Sequence, residues 1–263
     1  MSDESVETRT SGDTGVKTII DRYTIYRIKG ANKDPNSKVD MGLLPFVGMV
    51  PALFMLVILC ICTLINNQYW VDTTMVAAAT MLAIPIVIYG FNTIQGLMNI
   101  SDRAFPPKKN SPGPAAVMMP VLIALFVYGL YVFMGLRFML FYAPALEIAV
   151  TLSVVTTLYF SKERKNERYT DIVGSPTFIK AIIISTIAII VFACLPIIWQ
   201  VGIEAIDFIR MLLMVILSVL FGFIMAKIVD KRLHGISDSE FNSLFEISRP
   251  LIGVVFIAIV LIF

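Results

Sequence analysis

Asn92-Thr93-Ile94-Gln95-Gly96-Leu97-Met98-Asn99-Ile100-Ser101-Asp102 is the polar end of an apolar run that begins near Met75. Asn92, Gln95, Asn99 and Asp102 follow at steps of three, four and three. At about 100° per residue they share one helix face roughly 80° wide. A helix satisfies its own backbone in a bilayer, but side-chain amides there need partners, a wet cavity or a ligand. The plain reading is that these amides join the helix to its neighbours. The alternative is a binding site.

Composition sets the surroundings of that stripe. The 263 residues are 57% hydrophobic and 15% charged, with a mean hydropathy of +0.83. This is too apolar for a soluble domain of that size, so an all-α polytopic membrane bundle is expected, with the lipid bilayer as its first partner. No nucleic acid partner is expected. No repeat period suggests an array. Cys60, Cys62 and Cys194 all lie in apolar segments and read as small buried hydrophobes. His234 is the one histidine, which excludes a multi-histidine metal or haem centre.

Residues 1–41 are polar, with no apolar core near Met1 to act as a signal peptide, and are expected to form a cytoplasmic tail. Within them Val16, Ile19, Ile20, Tyr23, Ile25 and Ile28 fit either a short amphipathic helix on the membrane surface or a partly ordered tail. The membrane domain is expected over 42–263. Its apolar runs are Gly42 to Ile65, Met75 to Ile100, Ala115 to Leu136, Phe138 to Phe160, Phe178 to Trp199, Ala205 to Ala226 and Phe245 to Phe263. These give about seven candidate spans. The last is the weakest, because Arg249-Pro250 interrupts its start.

The basic residues test this layout independently. Arg9, Lys17, Arg22, Arg27, Lys29, Lys33 and Lys38 lie in the tail, three Lys and Arg in 101–114, four in 161–177 and three in 227–246. The connections at 66–74 and 200–204 have none, and the turn near 137 has only Arg137. This alternation predicts a cytoplasmic N-terminus and places 101–114, 161–177 and 227–246 on the cytoplasmic face. Arg210, near the outer end of the sixth run, is an exception.

The loop 104–114 holds four prolines and a glycine around Lys108 and Lys109, so it is a stiff turn whose lysines suit either a phosphate or anionic lipid. The charge run Lys162 to Arg168 reads as a solvated extension. Ser237 and Glu240 have the spacing of a capping box, which puts Glu246 about two turns inside the helix that follows. His234, just before that cap, is more often a surface residue than a ligand. Glu147 sits in the middle of an apolar run, either as a functional group or paired with Arg137. Pro85, Pro120, Pro144 and Pro196 can kink helices, which is common in spans.

Four blocks in order resemble the cobalamin-5'-phosphate synthase (adenosylcobinamide-GDP ribazoletransferase) family. Leu44-Pro45-Phe46-Val47-Gly48 is similar to the motif opening the family's first span. Gln95 to Asp102 resembles Asp-Gly-Leu-Ala-Asp-Thr-Ala-Asp. Lys109-Asn110-Ser111-Pro112-Gly113 resembles Lys-Asp-Ser-Arg-Ile-Gly with one residue missing. His234 to Ser239 with Glu246 resembles Gly-Gly-Val-Thr-Gly-Asp and a later Glu.

The resemblance implies a plasma-membrane transferase, with its site facing the cytoplasm, that joins ribazole or its phosphate to GDP-activated cobinamide and releases GMP. It implies catalytic roles for Asp102, Asp238 and Glu246, substrate contacts from Asn92, Gln95, Asn99, Lys109, Asn110 and Ser111, and Mg²⁺ at Gln95, Asn99 and Asp102. The departures bear on that ion. Gln95, Asn99 and Asn110 stand where the family has aspartates, Pro112 replaces an arginine, and the fourth-block acid is at Asp238 instead of position 239. Amide oxygens bring no charge, so Mg²⁺ is expected to be held weakly. Asp102, Asp238, Glu240 and Glu246 rebuild a site only if the loops bring them together. Two other readings stand beside this one. The first is a catalytically degenerate relative that binds a corrinoid, a nucleotide or a partner subunit, or forms a homo-oligomer. The second is a small-solute transporter using Glu147 and the 92–99 stripe.

Overall fold

The computed structural model describes residues 15–32, 39–105, 113–162, 174–196, 205–233 and 235–262. Its regular structure is helical, with no strand among the described residues. Helix α1 spans Val16–Tyr23. A short 3-10 turn at Met41–Leu43, capped by Asp40 Oδ1 accepting from the Gly42 N–H at 2.9 Å, leads into α2, Leu44–Tyr69. Then follow α3, Thr74–Ile88, α4, Asn92–Ala104, α5, Pro114–Phe160, α6, Ser175–Cys194, and α7, Ala205–Ile228. A π-helical turn at Val229–Leu233 precedes α8, Asp238–Ile262.

By length and apolarity five helices are able to cross a membrane, or six when α3 and α4 count as one broken span. The chain is thus a multi-pass helical membrane bundle. The apolar run that begins near Met75 does not form one straight helix. Gly90 and Phe91 both take left-handed backbone (φ 65° and 61°), and α4 leaves α3 at 87°. Glycine tolerates that region at no steric cost, whereas Phe91 is strained there.

Helix α5 has 47 residues and is interrupted at Gly135 (φ 70°, ψ 164°). A Cβ on Gly253 of α8 would lie 2.5 Å from Leu130 Cδ2 and 3.6 Å from Leu146 Cδ2. Those two leucines would stand about 24 Å apart on a continuous helix, so the chain folds back at Gly135 and the two limbs lie side by side. Every residue from Met139 to Leu158 is buried. This limb is therefore the centre of the bundle.

Two glycines let neighbours close on it. A Cβ on Gly48 of α2 would fall 2.9 Å from the Glu147 carbonyl, and one on Gly222 of α7 would fall 2.5 Å from the Ser153 carbonyl. Small residues at such crossings permit the backbone approach on which packing between membrane helices depends. Facing outward, α2 carries Leu53, Val57, Ile61 and Leu64, and α6 carries Ile179, Ile183 and Ile187, all exposed. Apolar stripes at helical spacing on the outside are what lipid requires.

Several sequence expectations shift. Helix α1 is not loose: Ile19 is fully buried, and beyond α1 the Ile25 N–H donates to the Ile88 carbonyl at 2.8 Å. The segment is thereby tied to the end of α3. Helix α8 begins at Asp238 and runs through Arg249 and Pro250 without interruption. The three cysteines are free, but only Cys62 is buried, while Cys60 and Cys194 are half-buried.

Candidate functional site

Helix α4 lies antiparallel on the first half of α8, in backbone contact. A Cβ on Gly96 would meet the Ser239 carbonyl at 2.7 Å and the Ser243 nitrogen at 2.9 Å, so no larger residue fits there without parting the helices. Polar contacts flank this crossing. Thr93 Oγ1 donates to Glu246 Oε1 at 2.7 Å, Asn99 Nδ2 donates to Ser239 Oγ at 3.3 Å, and Arg103 pairs with the buried Glu240. Glu240 also accepts from the Ser237 N–H at 3.0 Å and from the Ser237 hydroxyl. The first of these bonds is the reciprocal half of the capping box.

Beside this crossing a cavity of about 250 Å³ opens between α1, the end of α3, α4 and α8. Tyr23, Tyr89, Phe241 and Phe245 form its aromatic wall. Their rings are in contact, with centroids 5.2 Å apart for Tyr23 and Phe241, 5.6 Å for Phe241 and Phe245, and 5.1 Å for Tyr89 and Phe245. Arg22, Asn92, Thr93, Asp238 and Asn242 provide the polar lining. The Tyr89 hydroxyl is buried and has no hydrogen-bond partner.

Under the pocket lies a buried charge cluster. Arg249 Nε and Nη2 donate to Glu147 Oε1 and Oε2 at 2.5 and 3.1 Å, and Nη1 donates to Glu246 Oε2 at 2.5 Å. All three side chains are buried. Thr93 links the cluster to the pocket wall through Glu246. The hydroxyl of Tyr131, like that of Tyr89, is buried without a partner, and both rings lie within the field of the cluster. One guanidinium against two carboxylates leaves a formal charge of −1. The bidentate fork to Glu147 is the strong geometry for such a pair.

Glu147 therefore pairs with Arg249, not with Arg137, which is exposed. Glu246, expected as a catalytic acid, has one oxygen on Thr93 and the other on Arg249. The first of these contacts ties α4 to α8 through Glu246. Of the α4 stripe, Asn92 reaches the pocket, Gln95 is exposed, and Asn99 bonds Ser239. Asp102 Oδ1 accepts the Gly113 N–H at 2.9 Å. Asp238 is exposed at the pocket rim. Lys109, Asn110, Ser111 and His234 lie outside the described residues.

The donor set on α4 does not fit a protein-held Mg²⁺. That hard cation takes near-octahedral oxygen ligation, whereas Gln95, Asn99 and Asp102 supply one carboxylate, already engaged by a backbone N–H on one oxygen. Among the described residues no three acidic, histidine or cysteine side chains converge.

Arg22, Tyr23, Tyr89, Thr93, Asn242 and Arg249 belong to the site but carry no motif. Arg249 had one signal: a cation inside an apolar run requires a buried anion, and Glu147 was a candidate. Compared with family models, with curated proteins and with solved structures, the chain matches none.

Proposed function

We propose that the pocket receives an aromatic base carrying a phosphorylated sugar, and that the chain is a transferase of the cobalamin nucleotide-loop type. In this reading it joins ribazole or its phosphate to GDP-activated cobinamide with release of GMP. One observation carries this: the second and fourth resemblance blocks, about 140 positions apart, meet along the α4–α8 crossing, and the pocket opens beside them. The aromatic wall suits a planar ring, Asn92 and Asn242 suit its polar edges, and Arg22 suits a phosphate. At about 250 Å³ the cavity is smaller than the roughly 300–1,000 Å³ of ordinary ligand sites. It takes the base and sugar and leaves the corrinoid outside. Asp238 at the rim accepts the proton of the attacking sugar hydroxyl as the bond to GMP breaks.

In the same reading the plasma membrane is crossed seven times, with α3 and α4 as one broken span and α5 as two limbs. The basic tail and the pocket face the cytoplasm.

The amides at 95 and 99 favour a second reading, a degenerate relative that binds the base without turnover, alone or with a partner subunit. A transporter reading loses its carboxylate, since Arg249 holds both oxygens of Glu147.

Purified protein in vesicles, supplied with ribazole and GDP-activated cobinamide, should release GMP. Asp238→Asn should lower that rate by about 10²-fold or more, and Arg22→Ala should raise KM. Ribazole binding without GMP release selects the degenerate reading. Absence of both removes the assignment.

A further inference from the structure

A second polar cavity, of about 210 Å³, lies at the other end of α8 between the reversal at Gly135 and the start of α7. Its level is fixed by Tyr142, which lines it and meets Phe256 at 5.0 Å between ring centroids. Phe256 is fifteen residues along α8 from Phe241 of the first pocket, a rise of about 22 Å. The two sites are separate.

The lining comprises Arg137, Phe138, Phe141, Tyr142, Asp207 and Arg210. Arg137 and Arg210 are the two basic residues that depart from the charge alternation along the chain, and the fold brings them together. Asp207 Oδ1 accepts from the Tyr142 hydroxyl at 2.6 Å and from Arg210 Nη1 at 3.1 Å. Arg210 Nε is buried with no hydrogen-bond partner. A guanidinium N–H left so is costly, and an anion satisfies it. The three charged side chains of the lining sum to +1. Glu204, the next acid in sequence, lies outside the described residues.

An apolar groove of about 110 Å³ adjoins this cavity and shares Phe138 with it; Phe133, Phe256, Val260 and Leu261 lie along it. Phe133 and Leu261 are exposed on the outside of the bundle. A cationic cavity beside an apolar groove, with Phe138 common to both, matches the two halves of one molecule.

We propose that this is a binding site for an anionic phospholipid, whose phosphate is held by Arg137 and Arg210 Nε and whose acyl chain lies in the groove. The charge of +1 matches one phosphodiester. A zwitterionic headgroup would bring a second cation beside Arg137.

The test is native mass spectrometry on the full chain in detergent, titrated with phosphatidylglycerol, phosphatidylcholine or inorganic phosphate. Phosphatidylglycerol should be retained at least about tenfold more tightly than phosphatidylcholine, and Arg137→Ala should weaken it by about tenfold. Arg210→Ala also breaks the Asp207 pair, so Arg210→Lys is used instead: it keeps the charge, removes the Nε donor and should bind at an intermediate level. Val260→Trp fills the groove and should reduce retention of phosphatidylglycerol. Equal retention of the two lipids, no effect of Arg137→Ala, or inorganic phosphate competing as well as lipid would each overturn the proposal, the last by showing a site for a free anion.

Discussion

Arg249 on α8 grips both carboxylate oxygens of Glu147, a residue 102 positions earlier on the central limb of α5. Each is a charge that an apolar environment would otherwise reject, and together with Glu246 they fix the register of α5 against α8. Breaking one side of a buried pair costs about 3–5 kcal/mol, because the partner is left charged and unpaired.

Arg249→Met should therefore lower stability to unfolding in detergent by about that amount. Adding Glu147→Gln to it should cost little more, since one stranded carboxylate is then neutral. A double-mutant cycle should return a coupling above about 1 kcal/mol; additive effects would mean that the contact does not form.

Gly96→Val should part α4 from α8, because its side chain would enter backbone at Ser239 and Ser243. Overpacking of this kind costs about 1–3 kcal/mol, and ribazole binding at the neighbouring pocket should fall with it. Gly129→Ala is the control. A Cβ there meets nothing within 4 Å, and the change should be neutral or stabilising by up to about 1 kcal/mol.

Restoring acids at two α4 positions tests the metal. Gln95→Asp with Asn99→Asp should tighten Mg²⁺ binding by at least about tenfold in calorimetry if this face once held the ion. An unchanged isotherm places any divalent ion elsewhere.

Seven crossings make a labelling prediction. In a background with Cys60, Cys62 and Cys194 replaced, Trp70→Cys, at an exposed position of the α2–α3 connection, and Arg137→Cys should react with an impermeant maleimide in intact cells, and Asp238→Cys only after permeabilisation. The reverse pattern would invert the proposed orientation.

The membrane class was legible in the sequence because apolar runs report burial in lipid directly. The amphipathic pattern at Val16 to Tyr23 likewise corresponds to a helix. The break after Ile88 was not legible, since it depends on Phe91 adopting a left-handed backbone that its residue type disfavours. The α4 stripe was legible in part: Asn99 joins α4 to Ser239 of α8 and Asn92 lines the pocket, whereas Gln95 is exposed. The face buried against the bundle is instead Thr93, Gly96, Leu97 and Ser101, and Gly96 permits the backbone approach to α8 that no polar pattern announces. Arg249 looked like an interruption because Glu147, which takes its bidentate fork, lies 102 positions away on α5, and only the tertiary fold brings it alongside Glu246 and Arg249 of α8.

The turn at Gly90 has a consequence for the lipid itself. Helix α3 has 15 residues, a rise of about 22 Å, against a hydrocarbon layer of about 30 Å. In the proposed seven-crossing arrangement α4 turns away at 87° and adds little depth, so beside α3 the bilayer would thin, or lipid headgroups would dip towards Ile88. The pocket would then sit at the bottom of a dent in the membrane, where a water-borne substrate reaches a depth that flat bilayer would seal. Short-chain lipids should suit this protein best, and thick, sterol-rich membranes should hinder it.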